Sequence, residues 1–111
     1  QETYEEENPR AGIVADYLDR LLPEDWKDKD LYSRRAWLES EAEGTIQRET
    51  VCTTEIWAEA LGGSPDKFDS FASKGVREIM TKLHDWQHQG AKQRTFRPYG
   101  RQRYYERKAK E

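Results

Sequence analysis

The chain is short of the residues that usually build a core. Only 17 of its 111 residues are Leu, Ile, Val or Phe, low enough to raise disorder as a reading. Two features oppose it. The formal net charge is only −3, and four Trp and six Tyr supply rings that can each bury ~150–250 Å². A chain of this length suits one domain, so a small, aromatic-rich core is expected. Cysteine is nearly absent: Cys52 stands alone, which excludes an intrachain disulfide. No apolar run approaches the ~18 residues of a membrane span, and no signal peptide is visible. These absences favour a reducing, cytoplasmic setting with no membrane partner. The chain opens on Gln1 rather than Met, which reads as a piece of a longer polypeptide.

Motifs for catalysis are missing too. There is no G-x-x-x-x-G-K-[ST] loop and no G-x-G-x-x-G fingerprint, and "GGSPDK" lacks the Lys-Ser/Thr that a phosphate loop needs. "HDWQH" sets His84 and His88 four apart, the spacing of the H-E-x-x-H zinc helix. Its acid is Asp, and the chain has no third His. Nothing positions a base beside Cys52, so a small buried thiol is the better reading. No catalytic residue, cofactor or metal is expected, and the chain is not read as an enzyme.

What is present is an uneven charge. Residues 1–30 hold ten acids and four bases; residues 90–111 hold eight bases and two acids. Such asymmetry marks an interaction surface, or two ends that neutralise each other. Along the chain, 1–8 reads as an acidic junction, 9–44 as a helical subregion, 45–107 as the main fold and 108–111 as a basic tail. Asn8-Pro9 reads as a helix start. Ile13, Val14, Tyr17, Leu18, Leu21 and Leu22 form one apolar face, ended by Pro23. A second helix begins near Asp30 and carries Leu31, Ala36, Trp37 and Leu38 to a breaker at Gly44. Thr45–Val51 reads as a strand. Thr53 then caps a helix with Ile56, Trp57, Ala60 and Leu61 inward, stopped by Gly62-Gly63. A longer helix from Asp69 to His84 buries Phe71, Val76, Ile79, Met80 and Leu83, with Gly75 placed for close helix packing. "DWQHQGAKQ" and "RQRYYER" read as strands flanking a basic loop, in which Pro98 and Gly100 break a central strand. The core is expected to hold Leu18, Ile56, Trp57, Val76, Ile79, Leu83 and Trp86, joined by Trp37.

This order predicts a mostly α fold with a small antiparallel sheet: a winged helix, preceded by an extra N-terminal helix. The helix Asp69–His84 takes the position that enters the DNA major groove in helix-turn-helix modules, and Gln89–Gly100 is the wing. Side chains alternate along a strand, so Arg101, Arg103 and Tyr105 share one face. Arginine forks bind phosphates bidentately. The candidate nucleic-acid-binding residues are therefore Lys74, Arg77, Lys92, Arg94, Arg97, Arg101 and Arg103. The competing readings are an edge strand protected by charge and, for the helix, a merely solvated face.

The stretches "AGIVADYLDRLLPEDW", "SRRAWL", "GTIQRETVCTTEIWAEALG", "REIMTKLHDW" and "YGRQRYYER" together resemble the C-terminal region of the virulence-associated protein E family, phage- and genomic-island-encoded replication proteins. The resemblance covers nearly the whole chain; Trp86 and Tyr99–Arg103 match the family's tail pattern. It implies a P-loop ATPase core of helicase type upstream of Gln1, with Gln1–Arg10 as the junction. No catalytic residue of the family maps onto these residues. The expected function is thus a non-catalytic accessory domain of a replicative ATPase that contacts DNA weakly, mainly at phosphates. The alternatives are a module docking the ATPase core or a replication partner without DNA, and a free-standing transcriptional regulator.

Overall fold

Pro9 opens the first helix, α1 (Pro9–Asp19), where its missing N–H costs no hydrogen bond. The computed structural model describes residues 9–97 and 99–108, so the expected cap Asn8, the 1–8 junction, Pro98 and the tail beyond Lys108 lie outside them. The described residues form a mixed α/β fold of four helices and a three-stranded antiparallel sheet. Helix α1 buries Val14, Tyr17 and Leu18 but leaves Ile13 exposed. It ends at Asp19, earlier than Pro23 suggested. Leu22 is held extended by the following proline, and its backbone is taken by Ile46: the Leu22 N–H donates to the Ile46 carbonyl at 2.8 Å. Leu22 is buried beyond the helix, and Leu21 is exposed.

A 3₁₀ turn (Trp26–Asp28) leads to α2 (Leu31–Glu39). Asp30 caps α2, accepting from the Ser33 N–H at 2.8 Å. The helix stops at Ser40, not at Gly44. Gly44 has another reason to be glycine: a Cβ there would collide with the backbone of Leu21 and Leu22. The expected strand Thr45–Val51 shrinks to β1 (Thr50–Val51), which pairs with the last strand, plus a bridge from Ile46 to Leu22; Arg48, between them, is buried.

Helix α3 (Thr53–Glu55) runs on into a π-helical turn (Ile56–Ala60). Its cap is Cys52 rather than Thr53, with the Cys52 N–H donating to the Glu55 carboxylate at 3.2 Å. Gly62 ends this stretch at φ 72°, a left-handed conformation that glycine adopts without strain. After a 3₁₀ turn (Pro65–Lys67), Asp69 caps α4 (Ser70–Lys82), accepting from the Ala72 N–H at 2.8 Å.

Helix α4 buries Val76, Ile79 and Met80. Phe71 is not part of that stripe; it is 86% exposed. It stands five residues before Val76, off the three-and-four repeat, and Ala72 and Ser73 fill the first-turn positions instead. Gly75 faces open space, with nothing within 4 Å of a built Cβ, so no close helix crossing explains it.

The last two strands are β2 (Trp86–Phe96) and β3 (Gly100–Arg107), in the order β1-β3-β2. Strand β3 is the middle strand, but β1 reaches it only at Tyr105 and Glu106, so Arg101–Arg103 pair with β2 alone, as the edge reading expected. Strand β2 runs through most of the expected loop. The register moves from His88↔Tyr105 to Gln93↔Arg103, so the residues between bulge outward, with Gly90 at φ 66°. The connection to β3 is short, with Arg97 and Tyr99 in turn conformation and the Tyr99 N–H donating to the Phe96 carbonyl.

The main core joins Val14, Tyr17 and Leu18 of α1 to Val51, Ile56, Val76, Ile79, Met80, Trp86 and Tyr105. Trp57 and Leu83 pack on it half-buried. Trp37 does not join that cluster; it meets Trp26 edge-on at 5.7 Å. A second cluster holds Cys52, Phe96 and Tyr104.

Candidate functional site

Residues paired across an antiparallel ladder share a face. His88 pairs with Tyr105, Gln93 with Arg103 and Thr95 with Arg101, so these six residues lie on one side of the hairpin. With Thr53 of α3 and Ser73 and Arg77 of α4, most of them enclose a groove of about 440 Å³. Two of its arginines are held by neutral groups. The Arg77 guanidinium donates to Ser73 Oγ at 2.7 Å, one helical turn back. The Arg101 Nε donates to Gln93 Oε1 at 2.9 Å, across the ladder. Tyr105, buried, forms the base of the groove against the edge of the His88 ring, 4.9 Å away. Burial pushes the Tyr105 hydroxyl up, and the nearby Arg77 charge pulls it back. Among the described residues, no carboxylate lines the groove.

The seven candidate residues do not form one patch. Arg77, Arg101 and Arg103 converge on the groove. Lys74 is exposed on α4, three residues before Arg77, and Lys92 is exposed in the β2 bulge. Arg94 pairs with Gln102 on the other face of the hairpin and stacks on the Tyr104 ring at 4.9 Å. Arg97, in the turn, lies 3.9 Å from Asp28, with both side chains largely exposed. His84 follows the end of α4 and His88 sits on β2, so the two do not share a helical face. Among the described residues, no three His, Cys, Asp or Glu side chains converge as a metal-ligand set.

A second constellation was not anticipated from the sequence. Arg34, Arg48, Glu55 and Glu59 are all buried. Arg34 Nη1 donates to Glu59 at 2.7 Å and to Glu55 at 3.2 Å. Arg48 lies 3.8 Å from Glu55, with its guanidinium over the Tyr17 ring at 4.3 Å. The Tyr17 and Tyr99 hydroxyls both donate to Glu59, at 2.6 and 2.7 Å. Glu59 thereby fastens α1, α2 and the hairpin turn to the π turn. Burial pushes the Glu55 carboxyl up to about 7; Arg48 and Arg34 pull it down and Glu59 pushes it further up. Burial also raises the Tyr99 hydroxyl and the Cys52 thiol, which leaves Cys52 a poor nucleophile.

Three further arginines act as staples. Arg20 donates to the carbonyls of Leu38, Ser40 and Ala42, Arg35 to those of Ala58 and Gly63, and Arg107 to those of Arg48 and Leu18. This is how a chain poor in aliphatics holds its layers: planar guanidinium forks join backbone to backbone. No protein-family model matches the chain, and no curated protein matches it. Among the described residues, no helix is long and apolar enough to cross a membrane.

Proposed function

We propose that the chain is a non-catalytic winged-helix accessory domain of a phage-type replicative ATPase or helicase. It binds DNA through α4, the counterpart of a recognition helix, and through the β2–β3 hairpin, its wing. The fold reading is supported by the order helix, strand, helix, helix, strand, strand from α2 onward. The replication setting is supported by the resemblance to the virulence-associated protein E family, whose ATPase core is the second partner. The observation that carries DNA binding is the meeting of Arg77 with Arg101 and Arg103, from two elements, in a groove that no described carboxylate lines. Lys74 and Lys92 extend the contact, and Arg94 and Arg97 serve the turn and the outer face of the hairpin.

Contact is mainly with phosphates, because the chain as a whole is acidic and the basic groove acts only within a Debye length of ~8–10 Å. Affinity for duplex should be near or weaker than ~10⁻⁵ M at physiological salt. With about three phosphates neutralised, a tenfold rise in salt should weaken binding several hundredfold. Fluorescence anisotropy of a labelled duplex and a labelled strand over a salt series tests this. Arg101→Ala with Arg103→Ala should lower both the affinity and the salt slope.

A second reading, a protein-docking module with no DNA contact, is favoured by the exposed rings of Tyr32 (79%) and Phe71 (86%) and by exposed Ile13, Leu21 and Ile46. A folded protein that binds no DNA at low salt would decide for it.

A further inference from the structure

We propose that the groove between α4 and the hairpin is a phosphomonoester pocket that takes the phosphorylated end of a nucleic-acid strand. The proposal rests on the DNA-binding reading and narrows it.

The first argument is how arginine charge is used. Arg34 and Arg48 are neutralised by Glu55 and Glu59, Arg107 lies 3.8 Å from Asp19, and Arg97 meets Asp28. Arg77 and Arg101 are instead held by a hydroxyl and an amide. These partners aim a guanidinium without cancelling its charge. Among the described residues, no acid lines this groove.

The second argument is charge matching. An internucleotide diester carries one negative charge, which three guanidinium groups over-match. A terminal phosphomonoester carries about −1.5 to −2 at pH 7 and presents three acceptor oxygens, and guanidinium forks take such oxygens in pairs. The volume of about 440 Å³ lies within the ~300–1,000 Å³ of small-ligand sites. It suits one terminal nucleotide and is too small for a duplex.

The third argument is the neutral lining. Thr53 and Ser73 bring hydroxyl groups. His88 Nδ1 accepts from the Gly90 N–H at 3.0 Å, which leaves the proton of the neutral ring on Nε2 as a donor. The following phosphates of the strand meet Lys74 and Lys92, exposed on the two flanking elements. That continuation favours a nucleic-acid strand over a phosphopeptide.

The test uses the full chain and short strands labelled at the 3′ end, identical except for a 5′-phosphate or a 5′-hydroxyl, followed by anisotropy at low salt. The phosphorylated strand should bind about tenfold tighter, the effect of one added charge-assisted hydrogen bond. Arg103→Ala and, separately, Arg77→Gln should abolish that preference while the thermal melt stays in place. Equal binding of the two strands overturns the pocket and leaves the DNA reading standing. Binding of neither strand overturns both. A phosphoserine peptide that binds more tightly than the phosphorylated strand overturns the strand-end assignment and makes the groove a site for modified protein.

Discussion

Replacing Arg34 by methionine keeps most of the side-chain volume and removes the charge. Arg34 is 2% exposed. Its Nη1 bridges Glu55 and Glu59, and its Nε and Nη2 donate to the Trp26 carbonyl at 3.3 and 3.2 Å. Without it, two buried carboxylates face each other with Arg48 as the remaining cation, and the Trp26 carbonyl keeps only the Lys29 N–H. Breaking a buried pair by removing one partner costs about 3–5 kcal/mol. A typical domain has only about 5–15 kcal/mol in total. At roughly 4 °C or more per kcal/mol for a domain near this size, the melting temperature should fall by at least about 12–20 °C. The internal control is Arg97, whose ion pair with Asp28 is mostly in solvent; Arg97→Ala should change stability by less than about 1 kcal/mol. Adding Glu59→Gln to Arg34→Met should recover part of the loss, since it removes one of the stranded charges. The assay is a thermal melt followed by tryptophan fluorescence, confirmed by urea titration. If Arg34→Met melts within a few degrees of the parent, the four charged groups are solvated and the buried network is wrong.

Stability should fall as pH rises from about 5 to 8. The native Glu55 carboxyl sits near 7 against an ordinary 4.5, so within that window the folded chain holds a proton that the unfolded chain releases, and rising pH favours unfolding. This group's contribution is fully present below about 4.5 and lost above 7; it amounts to roughly 3 kcal/mol, and Glu55→Gln should flatten the profile measured by urea titration at several pH values. Tyr99→Phe removes the hairpin's bond to Glu59; it should cost about 1.5–3 kcal/mol and speed amide exchange in the turn, and unchanged exchange would show that the turn does not depend on this bond. Gly63→Ala places a Cβ against the Trp57 ring and should destabilise by about 1–3 kcal/mol. Gly75→Ala meets nothing within 4 Å on a helix and should stabilise by about 0.4–1 kcal/mol, so opposite signs in paired melts are the expected result.

Helical periodicity was legible where the buried residues are apolar. Val76, Ile79 and Met80 announce α4, and Val14, Tyr17 and Leu18 announce α1. It misled at Phe71, where hydrophobicity was read as burial although the residue falls off the repeat. It was silent on Arg34, Arg48, Glu55 and Glu59, because a pattern search sends charged residues to the surface. A weak signal did exist: Glu55 and Glu59 stand four apart, on the side of the helix that also carries Ile56. In a chain with so few aliphatics, some of that side had to be filled by paired charge. The strand was shortened because its two ends pair with different partners, Ile46 with Leu22 and Thr50–Val51 with β3. Alternation along β3 correctly put Arg101, Arg103 and Tyr105 on one face. It could not show that β3 is central, because strand order depends on where β1 docks, and β1 lies some fifty residues earlier in the chain.

The buried charges and the groove are parts of one arrangement. Glu55 accepts from the Cys52 N–H, and Thr53, the next residue, lines the groove. Glu59 holds the Tyr99 hydroxyl, and the Tyr99 carbonyl accepts from the Gln102 side chain at 3.0 Å, between the two groove arginines of β3. The core network therefore sets the position of α3 and of the hairpin, the two elements that flank the guanidinium groups together with α4. A long arginine left to solvent gains little from a phosphate once the entropy of ordering it is counted. Arginines already aimed by Ser73 and Gln93, on elements fixed by a buried ion network, have lost much of that freedom in folding. For the proposed phosphate site, Glu59→Gln should therefore weaken binding of the 5′-phosphorylated strand in the anisotropy assay, although Glu59 does not line the groove.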